Sequence, residues 1–171
     1  MLYHGTLVKD LEYIKTNAYS HTQDKQVAYF TEDRVYALIC CRKKDENFVT
    51  MGLREGRQHY FERFPNQLEV MYKNKIGYIY KVYSKDGMTH SKLHTWESNV
   101  DVPIDGCEYI QDVYEEIIKE ESLGNVVIHR YEEIDPIEQK MHANHIKEHL
   151  DDEEYREYRD FLIQHFASLW D

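Results

Sequence analysis

The sequence predicts an α+β fold, and three observations carry that reading. Short β-branched or aromatic runs broken by glycine or polar residues stand at Leu2 to Thr6 and Val27 to Thr31. The alternating stretch Gly77-Tyr78-Ile79-Tyr80-Lys81-Val82-Tyr83 reads as a further strand, ended by the turn chemistry of Ser84-Lys85-Asp86-Gly87. From Pro136 onward the apolar residues recur at helical spacing. At 171 residues the chain can bury one good core and is short for two, so the expectation is a single domain over 1–171. Within it, residues 1–131 form a sheet-containing core and 132–171 a C-terminal helical appendage.

Taken in order, Met1 to Leu7 reads as a strand entering a turn, Val8 to Lys15 as a short helix, Thr16 to Gln26 as a polar loop, and Val27 to Thr31 as a second strand. A helix follows through Tyr36-Ala37-Leu38, because Thr31 or Asp33 can accept the orphan N–H groups of its first turn. Asp45 to Arg57, polar with two glycines, suggests a strand pair or an ordered loop. Tyr60 to Lys73 has helical spacing but must turn at Pro65. Leu93 to Val102 is extended, and Val102-Pro103 marks an edge or exit because proline cannot donate to a ladder. Tyr109 to Glu121 places Ile110, Val113, Tyr114, Ile117 and Ile118 on one helical stripe, with Gly124 at the C-cap. Asn125 to Tyr131 is a strand. Helices from Pro136 to Leu150 and from Asp152 to Leu169 complete the chain, the last with an apolar stripe of Phe161, Leu162, His165, Phe166 and Leu169.

Composition narrows the function classes. The formal charge of −11, with 32 acidic against 21 basic residues, disfavours binding to nucleic acid through the whole surface. The local basic segments at Arg42, Lys43, Lys44 and at Arg54, Arg57, Arg63 read as solvated faces. No run of 18 apolar residues and no charged-then-apolar N-terminus is present, so a cytoplasmic protein with no membrane partner is expected. Cys40, Cys41 and Cys107 make neither an even disulfide framework nor a CxxC zinc pair, and the adjacent two read as buried, inert thiols. His142, His145 and His149 share a helix face at i, i+3 and i+7, but without HExxH the pattern reads as a polar face and implies no metal. Tyr78 and Tyr80, at alternate strand positions, and Tyr83 beyond them read as half-buried sheet residues.

Tyr3-His4-Gly5-Thr6, followed about two dozen residues later by Tyr29-Phe30-Thr31 and the helix at Tyr36-Ala37-Leu38, resembles the first two signature segments of the ADP-ribosyltransferase fold, in the poly(ADP-ribose) polymerase and diphtheria-toxin branch. The resemblance spans about the first forty residues and implies a split mixed β-sheet. It also implies a role for each matched position: His4 bonds the ribose of NAD, Gly5 leaves room for the nicotinamide amide, Tyr29 stacks on the ring, and Thr6 and Tyr36 complete the cofactor-binding set. An imidazole can donate to or accept from a hydroxyl, and an aromatic face attracts the positively charged nicotinamide.

The family's third signature is a glutamate on a late strand that supports charge developing on the ribose. Two residues can supply it: Glu97 in Leu93-His94-Thr95-Trp96-Glu97-Ser98, and Glu108 before Tyr109-Ile110. A second resemblance joins the Tyr-His-Gly-Thr segment to Phe64-Pro65-Asn66-Gln67-Leu68-Glu69, Gly77-Tyr78-Ile79-Tyr80 and Ile110-Gln111-Asp112-Val113-Tyr114-Glu115-Glu116-Ile117. These are similar to a group of bacterial and phage proteins of this size; the likeness implies a Gram-positive bacterial or phage setting and carries no activity.

Two functions follow from the resemblance. One is an NAD-dependent ADP-ribosyltransferase or NAD glycohydrolase, with a nucleotide as its small-molecule partner and an acceptor that the sequence does not name. The alternative is a catalytically inactive module that keeps the pocket to bind a nucleotide or a protein. The face of the last helix, with Trp170 at its end, can pack on this domain or on a second copy as a homodimer.

Overall fold

The computed structural model describes residues 1–20, 23–91 and 94–170. The chain is α+β with mainly antiparallel sheets, and it divides into two compact units.

The first unit comprises Met1–Cys41 and Asn74–Ile117. Its strands are β1 (Leu2–Thr6), β2 (Tyr13–Ile14), β3 (Ala18–Ser20), β4 (Lys25–Thr31), β7 (Gly77–Val82), β8 (Thr89–His90), β9 (Thr95–Ser98), β10 (Val102–Pro103) and β11 (Gly106–Ile110). A seven-stranded sheet runs β11-β7-β1-β4-β9-β8, with β3 added alongside β4. All of its pairings among the described residues are antiparallel.

Alternation along these strands separates two faces. Leu2, Ala28, Phe30, Tyr80 and Val82 point to one, where they meet Ile14 and Val102 of the short β2–β10 pair in a buried cluster. The other face receives helix α1 (Arg34–Ile39). Of Thr31 and Asp33, the two caps the sequence offers, Asp33 starts this helix: its Oδ1 accepts from Val35 N and Tyr36 N, and the helix then buries Val35, Ala37, Leu38 and Ile39.

The second unit comprises Arg42–Lys73 and the chain from Ile118 onward. Strands β5 (Thr50–Arg54) and β6 (Arg57–Phe61) form a hairpin whose turn residues Glu55 and Gly56 both have positive φ, the pairing that matches strand twist. Strand β12 (Val126–His129) lies parallel to β6. Helices α2 (Gln67–Tyr72), α4 (Pro136–His149) and α5 (Arg159–Phe166) belong to this unit, so the C-terminal helices share a core with a three-stranded sheet. Tyr60, Phe64, Leu68, Met71, Tyr72, Leu162 and Phe166 are among its most deeply buried side chains. Helix α3 (Val113–Ser122) precedes β12 in the chain.

Several elements differ from the expectation. Val8 to Lys15 is not helical: Tyr80 Oη donates to Val8 O (2.9 Å) and accepts from Leu11 N (3.1 Å), which holds the segment as a turn before β2. Ala18–Ser20 and Lys25–Gln26 are strand rather than loop, while His21, Thr22 and Leu93 of the predicted segments lie outside the described residues. Tyr60 and Phe61 end β6 instead of starting a helix, and Tyr109 and Ile110 end β11. Asp112 Oδ1 accepts from Glu115 N and so sets the start of α3. The predicted last helix is a 3₁₀ turn at Glu153–Tyr158 followed by α5.

Candidate functional site

Strands β1 and β4 pair at Tyr3 and Thr31 and carry no further register between them among the described residues. On its other side β1 is paired with β7 along its whole length. Where β1 and β4 part, a cleft of about 260 Å³ opens, lined by Tyr3, His4, Gly5, Tyr29, Phe30, Thr31, Tyr36, Ala37, Cys40 and Thr95. His4, Gly5, Tyr29 and Tyr36 of the sequence-predicted set therefore come together. Thr6 does not join them: its Oγ1 accepts from Val8 N at 3.2 Å and serves the turn after β1.

His4 Nδ1 lies 2.8 Å from Tyr29 O, bridging the two strands where their ladder stops. A carbonyl only accepts, so Nδ1 carries the proton. Burial pushes the ring below the ordinary imidazole range, against the upward pull of that hydrogen bond, so the neutral form is favoured and Nε2 is left as an acceptor.

Gly5 has a structural cause that the resemblance did not imply. A Cβ built on it would stand 1.6 Å from Ala37 O of α1, so the space above the strand is filled by helix backbone. Cys41 is buried with its Sγ donating to Ala37 O at 3.6 Å, whereas its neighbour Cys40 is half-buried on the cleft wall.

The two candidate carboxylates occupy different places. Residues opposite one another share a face of the sheet, and Glu108, Ile79 and Gly5 form one row across β11, β7 and β1. Tyr29 and Glu97 are direct partners across β4 and β9. At the usual spacing between strands, Glu97 and Glu108 stand on strands about 19 Å apart, four spacings from β11 to β9, and cannot serve one atom.

Glu108 is spent on an ion pair. Arg34, the first residue of α1, gives Nε to Glu108 Oε2 (3.2 Å) and Nη2 to Glu108 Oε1 (2.5 Å) and Glu116 Oε1 (2.8 Å). Arginine in a first helical turn opposes the helix dipole, a sequence signal that a carboxylate partner stands nearby. Replacing Arg34 by alanine leaves Glu108 and Glu116, both partly buried, without this cation. The expected loss is about 1–3 kcal/mol in urea unfolding, less in high salt.

Glu97 is only 2% exposed and its known donors are neutral: Ser20 Oγ at 2.8 Å and Gln23 Nε2 at 2.5 Å, both on Oε2. Burial pushes its carboxyl up, but hydrogen bonds from Ser91, Ser20, Gln23 and Tyr29 outweigh this and hold it below the usual carboxylate range. It does not line the cleft; Thr95, two residues earlier on the same face of β9, does. Ser20 and Gln23 lie within the segment that reads as polar loop, Thr16 to Gln26, and nothing in their spacing announced them as supports for a residue 77 and 74 positions away.

Among the described residues no group of three or more His, Cys, Asp or Glu is placed to hold a metal ion. His145 and His149 have ring centroids 4.4 Å apart, and His149 Nδ1 is 2.8 Å from Asp152. No described helix is long and apolar enough to cross a membrane. No family model, curated protein or solved structure matches the chain.

Proposed function

We propose that the cleft between β1 and β4 takes the nicotinamide end of NAD and that the protein is an NAD-dependent ADP-ribosyltransferase or NAD glycohydrolase. The observation that carries this reading is the pairing of Tyr29, an aromatic wall of the cleft, with Glu97, a buried carboxylate kept ionised by neutral donors on the adjacent strand.

The residues present fit one part of the molecule. A volume near 260 Å³ is below the range of pockets that bury a whole drug-sized ligand and suits a ring with part of its ribose. Tyr3, Tyr29 and Tyr36 offer aromatic surface to a cationic ring, and His4 Nε2 is an acceptor for a ribose hydroxyl. No Lys or Arg stands among the lining residues, so a pyrophosphate has no partner on this wall.

NAD, when bound, supplies an N-glycosidic bond whose cleavage releases neutral nicotinamide and leaves positive charge on the ribose. Glu97 is the carboxylate that opposes such charge in this reading, and Ser20 and Gln23 keep it fixed and ionised. Glu108, held by Arg34, is given no catalytic part.

The burial of Glu97 away from the cleft wall favours a second reading, in which the cleft binds a nucleotide without turnover. Calorimetry with NAD separates the pocket from both alternatives. Saturable binding weakened about five- to thirtyfold in each of His4→Ala and Tyr29→Ala is expected, since one aromatic or hydrogen-bonding contact is worth roughly 1–2 kcal/mol. Binding with no nicotinamide released over hours selects the second reading, and no binding at millimolar NAD overturns the first.

A further inference from the structure

On β7 and β11 the opposite face of the seven-stranded sheet carries a second, larger cavity of about 520 Å³, within the range of pockets that hold small molecules. Its floor is a cross-strand block. Tyr78 is the direct partner of Tyr109, and Tyr80 of Cys107, so all four side chains share a face. The rings of Tyr78 and Tyr80 are within 20° of parallel at 6.3 Å, and Tyr109 stands at 64° to Tyr78 at 5.9 Å.

Tyr80 Oη is already used, donating to Val8 O and accepting from Leu11 N. That clamp holds the Lys9-Asp10-Leu11 turn at the rim, where Asp10 has a positive φ of 56°. Asp105 stands on the other side; its Oδ2 accepts from Tyr83 N at 2.8 Å and its Oδ1 has no partner among the described residues.

The charges on the lining are Asp10 and Asp105 against Lys9 alone. Lys9 and Asp10 meet at 3.5 Å as a largely exposed pair of little worth. Burial pushes the Cys107 thiol up, so it adds no negative charge of its own at neutral pH. Aromatic faces with a residual carboxylate attract cations and repel phosphates.

We infer that this cavity is a binding site for an organic cation, a guanidinium or alkylammonium head group, with Tyr78 and Tyr109 as aromatic surface and Asp105 as counter-charge. It is independent of the NAD cleft, and its failure leaves that reading untouched.

The test is a titration of the ¹⁵N-labelled protein with N-acetylarginine ethyl ester, tetramethylammonium and the neutral N-acetylcitrulline ethyl ester. Saturable shifts centred on Tyr78, Cys107, Tyr109 and Asp105 are expected for a cation, with the neutral ester about tenfold weaker or more. Saturation by the guanidinium probe alone, or by the ammonium alone, assigns the head group. Tyr109→Ala and Asp105→Asn, both at exposed positions, are expected to weaken the cation without changing the rest of the spectrum. Equal binding of the neutral ester, shifts centred elsewhere, or no shift with either cation overturns the assignment.

Discussion

Replacing Gly5 by alanine is expected to be the most damaging conservative change in the first unit, costing about 3 kcal/mol or more in urea unfolding followed by far-UV circular dichroism. The added Cβ would lie 1.6 Å from Ala37 O, and the obstacle is helix backbone, which cannot rotate aside as a flexible side chain would. Overpacking of a filled site typically costs 1–3 kcal/mol, and contact with backbone belongs at or above the top of that range. Gly106→Ala on β11 is the control, because the nearest atom to its added Cβ is Lys81 Cβ at 4.0 Å; a change within about 0.5 kcal/mol is expected there. Equal effects at the two positions would mean that α1 does not rest on β1 at Gly5. The comparison also bears on function. Loss of NAD binding in Gly5→Ala reports a displaced helix, so it is no evidence that the glycine touches a ligand.

That double meaning of Gly5 shows what the sequence made legible. Tyr3-His4-Gly5 and Tyr29-Phe30-Thr31 read as strands from their residue types and Thr31 or Asp33 as the helix cap; both strands are so in the structure, and Asp33 is the cap. Their convergence on one cleft, together with Tyr36, was an implication of the resemblance rather than of spacing. Contacts between residues far apart in the chain were not legible. Val8 to Lys15 has helical spacing, yet a hydroxyl 69 to 72 positions away bonds its backbone as a turn. Cys107 to Ile110 could continue the stripe of the following helix, because four residues do not distinguish a period of 2 from one of 3.6; pairing with β7 decides for strand. The two glutamates looked alike for the same reason. Only the register and the donors around each separate Glu108, neutralised by Arg34, from Glu97, held by Ser20 and Gln23.

Glu97→Gln is the change expected to act most strongly on chemistry. In the wild type a buried anion stands beside Tyr29, and removing one such preorganised electrostatic group typically lowers a rate by about 10²–10³-fold. Nicotinamide release from NAD is expected to fall by that factor in Glu97→Gln and to stay within about threefold of wild type in Glu108→Gln. A similar loss in both variants would point to a fold defect, and an unchanged rate in Glu97→Gln would remove the carboxylate from the reaction. The pH dependence supplies an independent check. Because the folded-state carboxyl titrates below its ordinary value of 4.5, the stability it contributes is complete above that pH and is lost as pH falls through the depressed value. Wild-type stability is therefore expected to decline more steeply in that acid range than that of Glu97→Gln, and release should stay insensitive to Glu97 protonation down to pH 4.5. An acid limb above pH 4.5 that disappears in Glu97→Gln would show the opposite balance, burial prevailing over the hydrogen bonds from Ser20 and Gln23, and a carboxyl protonated before its unfolded counterpart.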